Sequence, residues 1–199
     1  MRIGWMVLAL LMMSRHAAAA DVTACFTAKG TALTSSATSM ASSMLQQAGV
    51  TIAWQCPGPR ASGVPRTWLR IELVEGNPDE RRPGVLAVSY PYAGCSKGIT
   101  VFYDRIQSLA RGTNRQSALL AYVLVHEITH VIQGVNRHSQ TGVMKARWSE
   151  EDRAAIFERR LGFEEHDAWL MRQGLAAGWC GDATSLMGRS ESRIVVHPE

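Results

Sequence analysis

The chain of 199 residues shows no internal repeat, no heptad pattern and no collagen-like period, which argues against repeat arrays, coiled coils and fibrous folds. It also lacks a long apolar run near its start, where residues 3–13 form a stretch of only eleven. A helix that spans a bilayer needs about 20 such residues, so no stable membrane anchor is expected. Hydrophobic residues at 46% and charged residues at 19% are typical of a globular protein.

Residues 1–20 are predicted to be a signal peptide. Arg2 precedes the apolar run, and Ala18 and Ala20 place small residues where a signal peptidase cuts. The chain is therefore expected to be secreted or periplasmic, with residues 21–199 forming one domain. Without the first twenty residues it keeps 19 basic and 17 acidic residues, a net charge of +2. This balance is too small to predict a nucleic-acid partner.

Cysteines are few and widely separated, and no pair has the C-x-x-C spacing of cysteine zinc sites. An even number of cysteines in an exported chain predicts two disulfides. Sequence leaves three connectivities open for the four cysteines, which are Cys25, Cys56, Cys95 and Cys180.

The hydrophobic pattern predicts a mixture of strands and helices. Strands are expected at residues 22–27, 50–55, 68–74, 84–90 and 99–103, and helices at 35–47, 114–133, 149–162 and 164–177. The clearest helix is 114–133, with Asn114 as its expected N-cap and Gly134 at its C-terminal end. Because this helix is apolar nearly all round, it is predicted to lie in the middle of the domain.

The central helix contains the motif His126-Glu127-Ile128-Thr129-His130. Histidines at i and i+4 project from the same helical face, so two imidazoles can bind one ion. Glu127 lies beside the first histidine, where it can act on a metal-activated water without being a ligand. Burial of these side chains in an apolar helix would be costly without a partner such as a metal. The motif therefore predicts a zinc site.

A catalytic zinc normally has three protein ligands, so a further side chain is needed. His138 is favoured because Gly134 ends the helix and allows the chain to turn back towards the metal. The alternatives are two other histidines and a glutamate from the next helix; these are His166, His197, Glu150, Glu151 and Glu158.

The segment from His126 to Trp148 resembles the metzincin zinc peptidases, and most closely their matrixin branch. The resemblance implies Gly134 as the turn, His138 as the third ligand and Met144 as the Met-turn residue below the metal. It also implies that Trp148 forms a wall of a substrate pocket. The spacing here is HExxHxxxGxxxH, so glycine comes one residue later and the third histidine two residues later than in the family.

The same resemblance implies a fold of the α+β class. A twisted mixed sheet and the active-site helix would form an upper part, residues 21–134, and the Met-turn and C-terminal helices a lower part, residues 135–199. Upstream, residues 84–91 look like the edge strand along which matrixins bind an extended substrate. The predicted substrate-binding residues there are Gly84, Val85, Leu86 and Ala87.

The resulting hypothesis is an exported, monomeric zinc endopeptidase that hydrolyses peptide or protein substrates. Zinc would lower the pKa of its bound water, and Glu127 would act as general base and then as general acid. Two alternatives stay open: a gluzincin-like site with a downstream glutamate ligand, and a secreted binding module that keeps zinc for stability. Because the first predicted strand begins almost at residue 21, no inhibitory segment is expected before it.

Overall fold

The structure is a computed structural model that describes residues 20–27, 31–56, 68–75, 84–93, 95, 97–180 and 194–198. Apart from residue 20, the predicted signal peptide lies outside this part of the chain. The described strands are β1 (Val22–Phe26), β2 (Ile52–Trp54), β3 (Leu69–Val74), β4 (Ala87–Ser89), β5 (Ile99–Phe102), β6 (Arg147–Trp148) and β7 (Ile194–Pro198). The helices are α1 (Ala32–Gln47), α2 (Tyr103–Leu109), α3 (Thr113–Gln133), α4 (Glu150–Phe157) and α5 (Glu165–Ala176), with a 3-10 turn at Pro91–Ala93.

The strands form one mixed sheet in the order β2-β1-β3-β5-β4-β7-β6. The first four in this order are parallel, β4 is antiparallel to both neighbours, and β6 is parallel to β7. Leu69 and Ile71 of β3 are completely buried whereas Glu72 is exposed, which is the alternation that the sequence predicts. The predicted α+β class is confirmed. The division of the domain near residue 134 stays a prediction.

Helix α3 is the central element of the core. Every residue from Ser117 to Gln133 is buried, and α1, α4 and α5 pack against the helix. Gly134 ends it in the left-handed conformation at φ 62°, and its amide donates to the His130 carbonyl at 3.0 Å. The predicted cap at Asn114 is wrong: the helix begins one residue earlier, and Gly112 at φ 85° takes the cap position. Its positive φ is a conformation that glycine adopts without strain.

Helices α4 and α5 both pack against α3. Ser149 caps α4, because its hydroxyl accepts from the Asp152 amide while the Asp152 side chain accepts from the Ser149 amide. This helix ends at Phe157, before the predicted end at residue 162. Helix α5 crosses α3 very closely at Gly174, where an added Cβ would stand 1.9 Å from the carbonyl oxygen of Ile132.

Strand β4 differs from its prediction. It is paired on both sides, with β5 through Ala87 and Val88 and with β7 from Ala87 to Ser89. The prediction that β4 is an edge strand is therefore wrong, because the sequence did not predict β7, which covers that edge. The sequence also did not predict α2 or β6. Ladder pairing with a remote segment, as between β4 and β7, leaves no local sequence signal.

Both predicted disulfides form, and the structure selects their connectivity. Cys25 at the end of β1 pairs with Cys56 after β2, and Cys95 pairs with Cys180 after α5. Two disulfides fit an extracellular or periplasmic location. Among the described residues, no helix has the length and apolar character required to cross a bilayer.

Candidate metal centre

Two ring nitrogens of α3 meet at the centre of the protein. His126 and His130 are both completely buried, and their Nε2 atoms are 2.9 Å apart. This proximity follows from helical geometry, because side chains four residues apart lie one above the other on the same face. The rings meet nearly edge to face, with centroids 4.6 Å apart.

The opposite nitrogen of each ring faces a backbone carbonyl. His126 Nδ1 lies 2.8 Å from the carbonyl oxygen of Val143, and His130 Nδ1 lies 3.3 Å from that of Val135. A carbonyl oxygen only accepts hydrogen bonds, so each Nδ1 carries the proton and each Nε2 presents a lone pair. Two lone pairs pointing at each other in a buried site repel unless a cation lies between them. Histidine ligands of metals are oriented by this kind of backbone partner.

His138 joins the two helical histidines from the loop that follows Gly134. Its ring centroid lies 5.3 Å from that of His126 and 4.9 Å from that of His130. Its Nε2 is buried and has no hydrogen-bond partner among the residues that the structure describes. One nitrogen from each ring lies within 4.8 Å of the other two. The one additional residue in the loop therefore does not prevent His138 from reaching the cluster.

Four of the other candidate ligands lie elsewhere, and the side chain of the fifth, His197, is outside the described part of the structure. His166 is exposed on α5 and stacks on Trp169. Glu150, Glu151 and Glu158 are exposed on or after α4. None of these four belongs to the cluster of possible metal ligands found among the described residues. The geometry does not support a gluzincin-like ligand set.

The histidine cluster fits a zincin-like metal site. Tetrahedral zinc with nitrogen ligands at about 2.1 Å would hold those ligands about 3.4 Å apart, which is comparable with the spacing of the three rings. Burial lowers the pKa of His126 to about 3 and also lowers the pKa values of His130 and His138. The rings are thus neutral at physiological pH, which is the form that binds metal.

Glu127 is a completely buried carboxyl on the same helix. Neither carboxyl oxygen has a hydrogen-bond partner in the described protein. Burial raises its pKa to about 8, and the Ser89 hydroxyl of β4 opposes this shift in part without making a well-aligned hydrogen bond. A divalent cation beside it would favour the carboxylate form. Glu127 is therefore a buried titratable group that is left without a structural partner.

Met144 and Trp148 lie in the segment between His138 and α4, and a role of Met144 as the Met-turn residue stays a prediction. Both are completely buried. The residue before Met144 supplies the carbonyl that orients His126, so this turn is connected directly to the metal cluster. Trp148 packs edge-on against His126 at 5.8 Å between centroids and against Tyr122 at 6.5 Å. Its role as a pocket wall, like the substrate role of Gly84, Val85, Leu86 and Ala87, stays a prediction.

The sequence reasoning did not identify Asp167 of α5, although this carboxylate is completely buried next to the loop of His138. Arg137 donates to it at 2.6 Å, and the Ser139 hydroxyl lies 2.8 and 2.6 Å from its two oxygens. The carboxylate thus holds both chain neighbours of His138. An aspartate in the first turn of a helix is stabilised by the helix dipole, which is sufficient to explain its presence there. Its position in the sequence therefore does not reveal that it also holds the loop of His138.

The fold and the site together define an α+β protein with a three-histidine cluster of the zincin-like kind, in which His126 and His130 are buried and His138 is half-buried. No protein-family model matches the sequence, and no curated protein is significantly similar to it. The connection to metzincins and matrixins therefore depends on the motif and its geometry.

Proposed function

We propose that this protein is a zinc-dependent peptidase of the metzincin kind that acts outside the cytoplasm. The observation that carries the proposal is the convergence of the His126, His130 and His138 ring nitrogens beside the buried, unpartnered carboxyl of Glu127. A purely structural zinc site has no use for such a carboxyl, whose burial is costly. The two disulfides support an oxidising compartment.

The chemistry requires a base beside an activated water. Zinc, when bound, would supply a Lewis acid that polarises water and the carbonyl of the peptide bond. Glu127 takes the proton from the attacking water and later delivers it to the leaving amine. Burial raises the pKa of this carboxyl to about 8 in the metal-free protein, and a bound divalent cation would favour the ionised form that acts as a base.

The residues around the cluster keep the site preorganised. The carbonyls of Val143 and Val135 hold two rings in the tautomer that leaves Nε2 free, and Asp167 holds the loop that carries His138. Trp148 restricts the space beside His126. Since these groups are in place before any ligand binds, little reorganisation accompanies catalysis. The proposed substrate is a peptide or protein, and the proposed active form is a monomer.

The test compares wild-type protein with Glu127→Gln and with Glu150→Gln, a control on the exposed surface of α4. Zinc content is measured by elemental analysis, and hydrolysis is followed with casein and a peptide library. All three proteins should bind one zinc, and only Glu127→Gln should lose cleavage, by a factor of about 10² or more. Unchanged turnover in Glu127→Gln would contradict the mechanism. Stoichiometric zinc without hydrolysis in the wild type would instead favour a non-catalytic, zinc-stabilised module.

A further inference from the structure

Strand β7 (Ile194–Pro198) lies between two segments that are far apart in sequence. On one side it runs antiparallel to β4, with Ile194, Val195 and Val196 opposite Ser89, Val88 and Ala87. On the other side it runs parallel to β6. Cα atoms of β7 also come within 8 Å of Cα atoms of α3, the helix of His126 and His130. The strand therefore lies beside the helix that carries two histidines of the metal cluster.

These two neighbours are the segments to which the resemblance to matrixins gives a substrate role. Ala87 belongs to the predicted substrate strand, and Trp148 in β6 is the predicted pocket wall. An extended peptide that binds by strand addition uses the free backbone groups of one strand. In this structure β7 already uses those groups of β4. An added peptide and β7 cannot occupy the same ladder at the same time.

We propose that β7 is an internal occupant of the substrate groove and holds the site in an inhibited state. The proposal rests on the peptidase function argued above and concerns the regulation of that site. Substrate would bind only when β7 leaves β4 and β6. The inhibition would be supplied from the region after α5, whereas the sequence predicts no inhibitory segment before β1.

The pairing is short enough to be reversible. Strand β7 matches three residues of β4 and two of β6, and β6 itself is only two residues long. Short pairings at one side of a sheet open locally at low free energy, without unfolding of the core. When β7 leaves, β4 becomes the free edge that the sequence predicts, and unpaired strand edges readily accept another chain.

The test uses full-length protein that carries Val195→Pro and Val196→Pro together. Adjacent residues of a strand direct their amides to opposite neighbours, so the pair of prolines removes one donor from each ladder. The matched control, Val195→Thr with Val196→Thr, keeps both amides and the β-branched shape. The backbone groups of Ala87 and Ser89 face β7, whereas those of Val88 face β5, as do those of Leu86, which accepts from the Phe102 amide. Hydrogen exchange at Ala87 and Ser89 therefore shows directly whether β7 has left β4, and Val88 is an internal reference.

The proline variant should exchange the Ala87 and Ser89 amides faster than wild type, with Val88 unchanged, because only the first two face β7. It should also cleave a peptide library at least about tenfold faster, a factor that corresponds to about 1.4 kcal/mol in favour of the paired state. The threonine variant should behave like wild type. A synthetic peptide of residues 192–199 should inhibit the proline variant competitively and restore amide protection. Faster exchange without faster cleavage, in a preparation whose wild-type protein is active, would overturn the proposal.

Failure of the peptidase function is a separate outcome. If neither protein hydrolyses any peptide, fluorescence anisotropy with a labelled peptide of residues 192–199 decides the inference about the groove. Binding to the proline variant but not to wild type would support occupation of the groove by β7. Equal binding to both proteins, or binding to neither, would overturn it, because the groove would not then be a peptide site that β7 blocks.

Discussion

The hydroxyl of Ser139 and the carboxylate of Asp167 are joined at 2.8 and 2.6 Å, across 28 residues of sequence. Ser139 is 5% exposed and Asp167 is completely buried. Ser139 follows His138 directly, so a contact between the loop and α5 determines where the third imidazole lies. Its backbone amide also donates to the Met144 carbonyl at 2.9 Å, which closes the turn on the same side. The metal cluster thus depends on a contact that is remote in sequence.

Asp167→Asn should weaken zinc binding. Asparagine keeps the shape of the side chain but loses the charge that Arg137 and Ser139 bind, so His138 should become less well ordered. The expected loss of zinc affinity is about 10–100-fold, as for other residues that orient metal ligands. Competition with a chromophoric chelator measures it.

Asp21→Asn is the control for that experiment. Asp21 also accepts hydrogen bonds from a hydroxyl and an amide, which Thr51 donates at 2.8 and 2.7 Å. It directly precedes β1, however, and does not belong to the histidine cluster. Its replacement should leave zinc affinity unchanged. Equal losses in the two variants would show that Asp167 acts only through general stability.

His138→Ala and His166→Ala should differ in metal content. Both remove one imidazole that the sequence offers as a ligand, but only His138 lies in the cluster. His138→Ala should lower zinc affinity by several orders of magnitude, whereas His166→Ala should retain one zinc per chain. Cobalt substitution provides a second measurement, since the visible spectrum of Co²⁺ reports the loss of a nitrogen ligand. Full zinc content with unchanged affinity in His138→Ala would exclude this residue as a ligand.

Gly174→Ala should destabilise the fold. The added methyl would stand 1.9 Å from the Ile132 carbonyl oxygen, so α5 must move away from α3. Overpacking of this kind costs about 1–3 kcal/mol of the free energy of unfolding. Gly162→Ala is a matched control, because its Cβ would meet nothing within 4 Å. Urea denaturation of both variants measures the difference, and equal midpoints would contradict the close crossing of the helices.

Removal of the two disulfides should have unequal effects. The Cys25–Cys56 bond closes 31 residues and the Cys95–Cys180 bond closes 85. In the chain-entropy description these loops correspond to about 3.7 and about 4.6 kcal/mol of stabilisation. Replacing the second pair by alanine should therefore cost about 0.9 kcal/mol more than replacing the first, as measured by denaturant unfolding. The opposite order would show that native contacts, rather than loop entropy, dominate.

Much of the local structure could be predicted from the sequence. The first strand, α1, the central helix and α5 appear within three residues of their predicted bounds, although the N-terminal ends of α1 and the central helix lie earlier than predicted. Gly134 ends α3 as expected because its positive φ is a local property of one residue. The meeting of His126 and His130 follows from the helix alone, since a separation of four residues brings their rings together regardless of what surrounds them.

Other features depend on contacts between segments remote in sequence. The cysteine pairing, the choice of His138 over His166, the role of Asp167 and the addition of β7 to β4 all join such segments. Helical and turn preferences act over a few residues. The sequence alone therefore determined the central helix and the placement of two histidines on one of its faces. The third histidine joins them only in the folded chain, where α5 and the loop after Gly134 pack against α3. Burial and hydrogen bonding between these remote segments determine that packing, and local preferences do not.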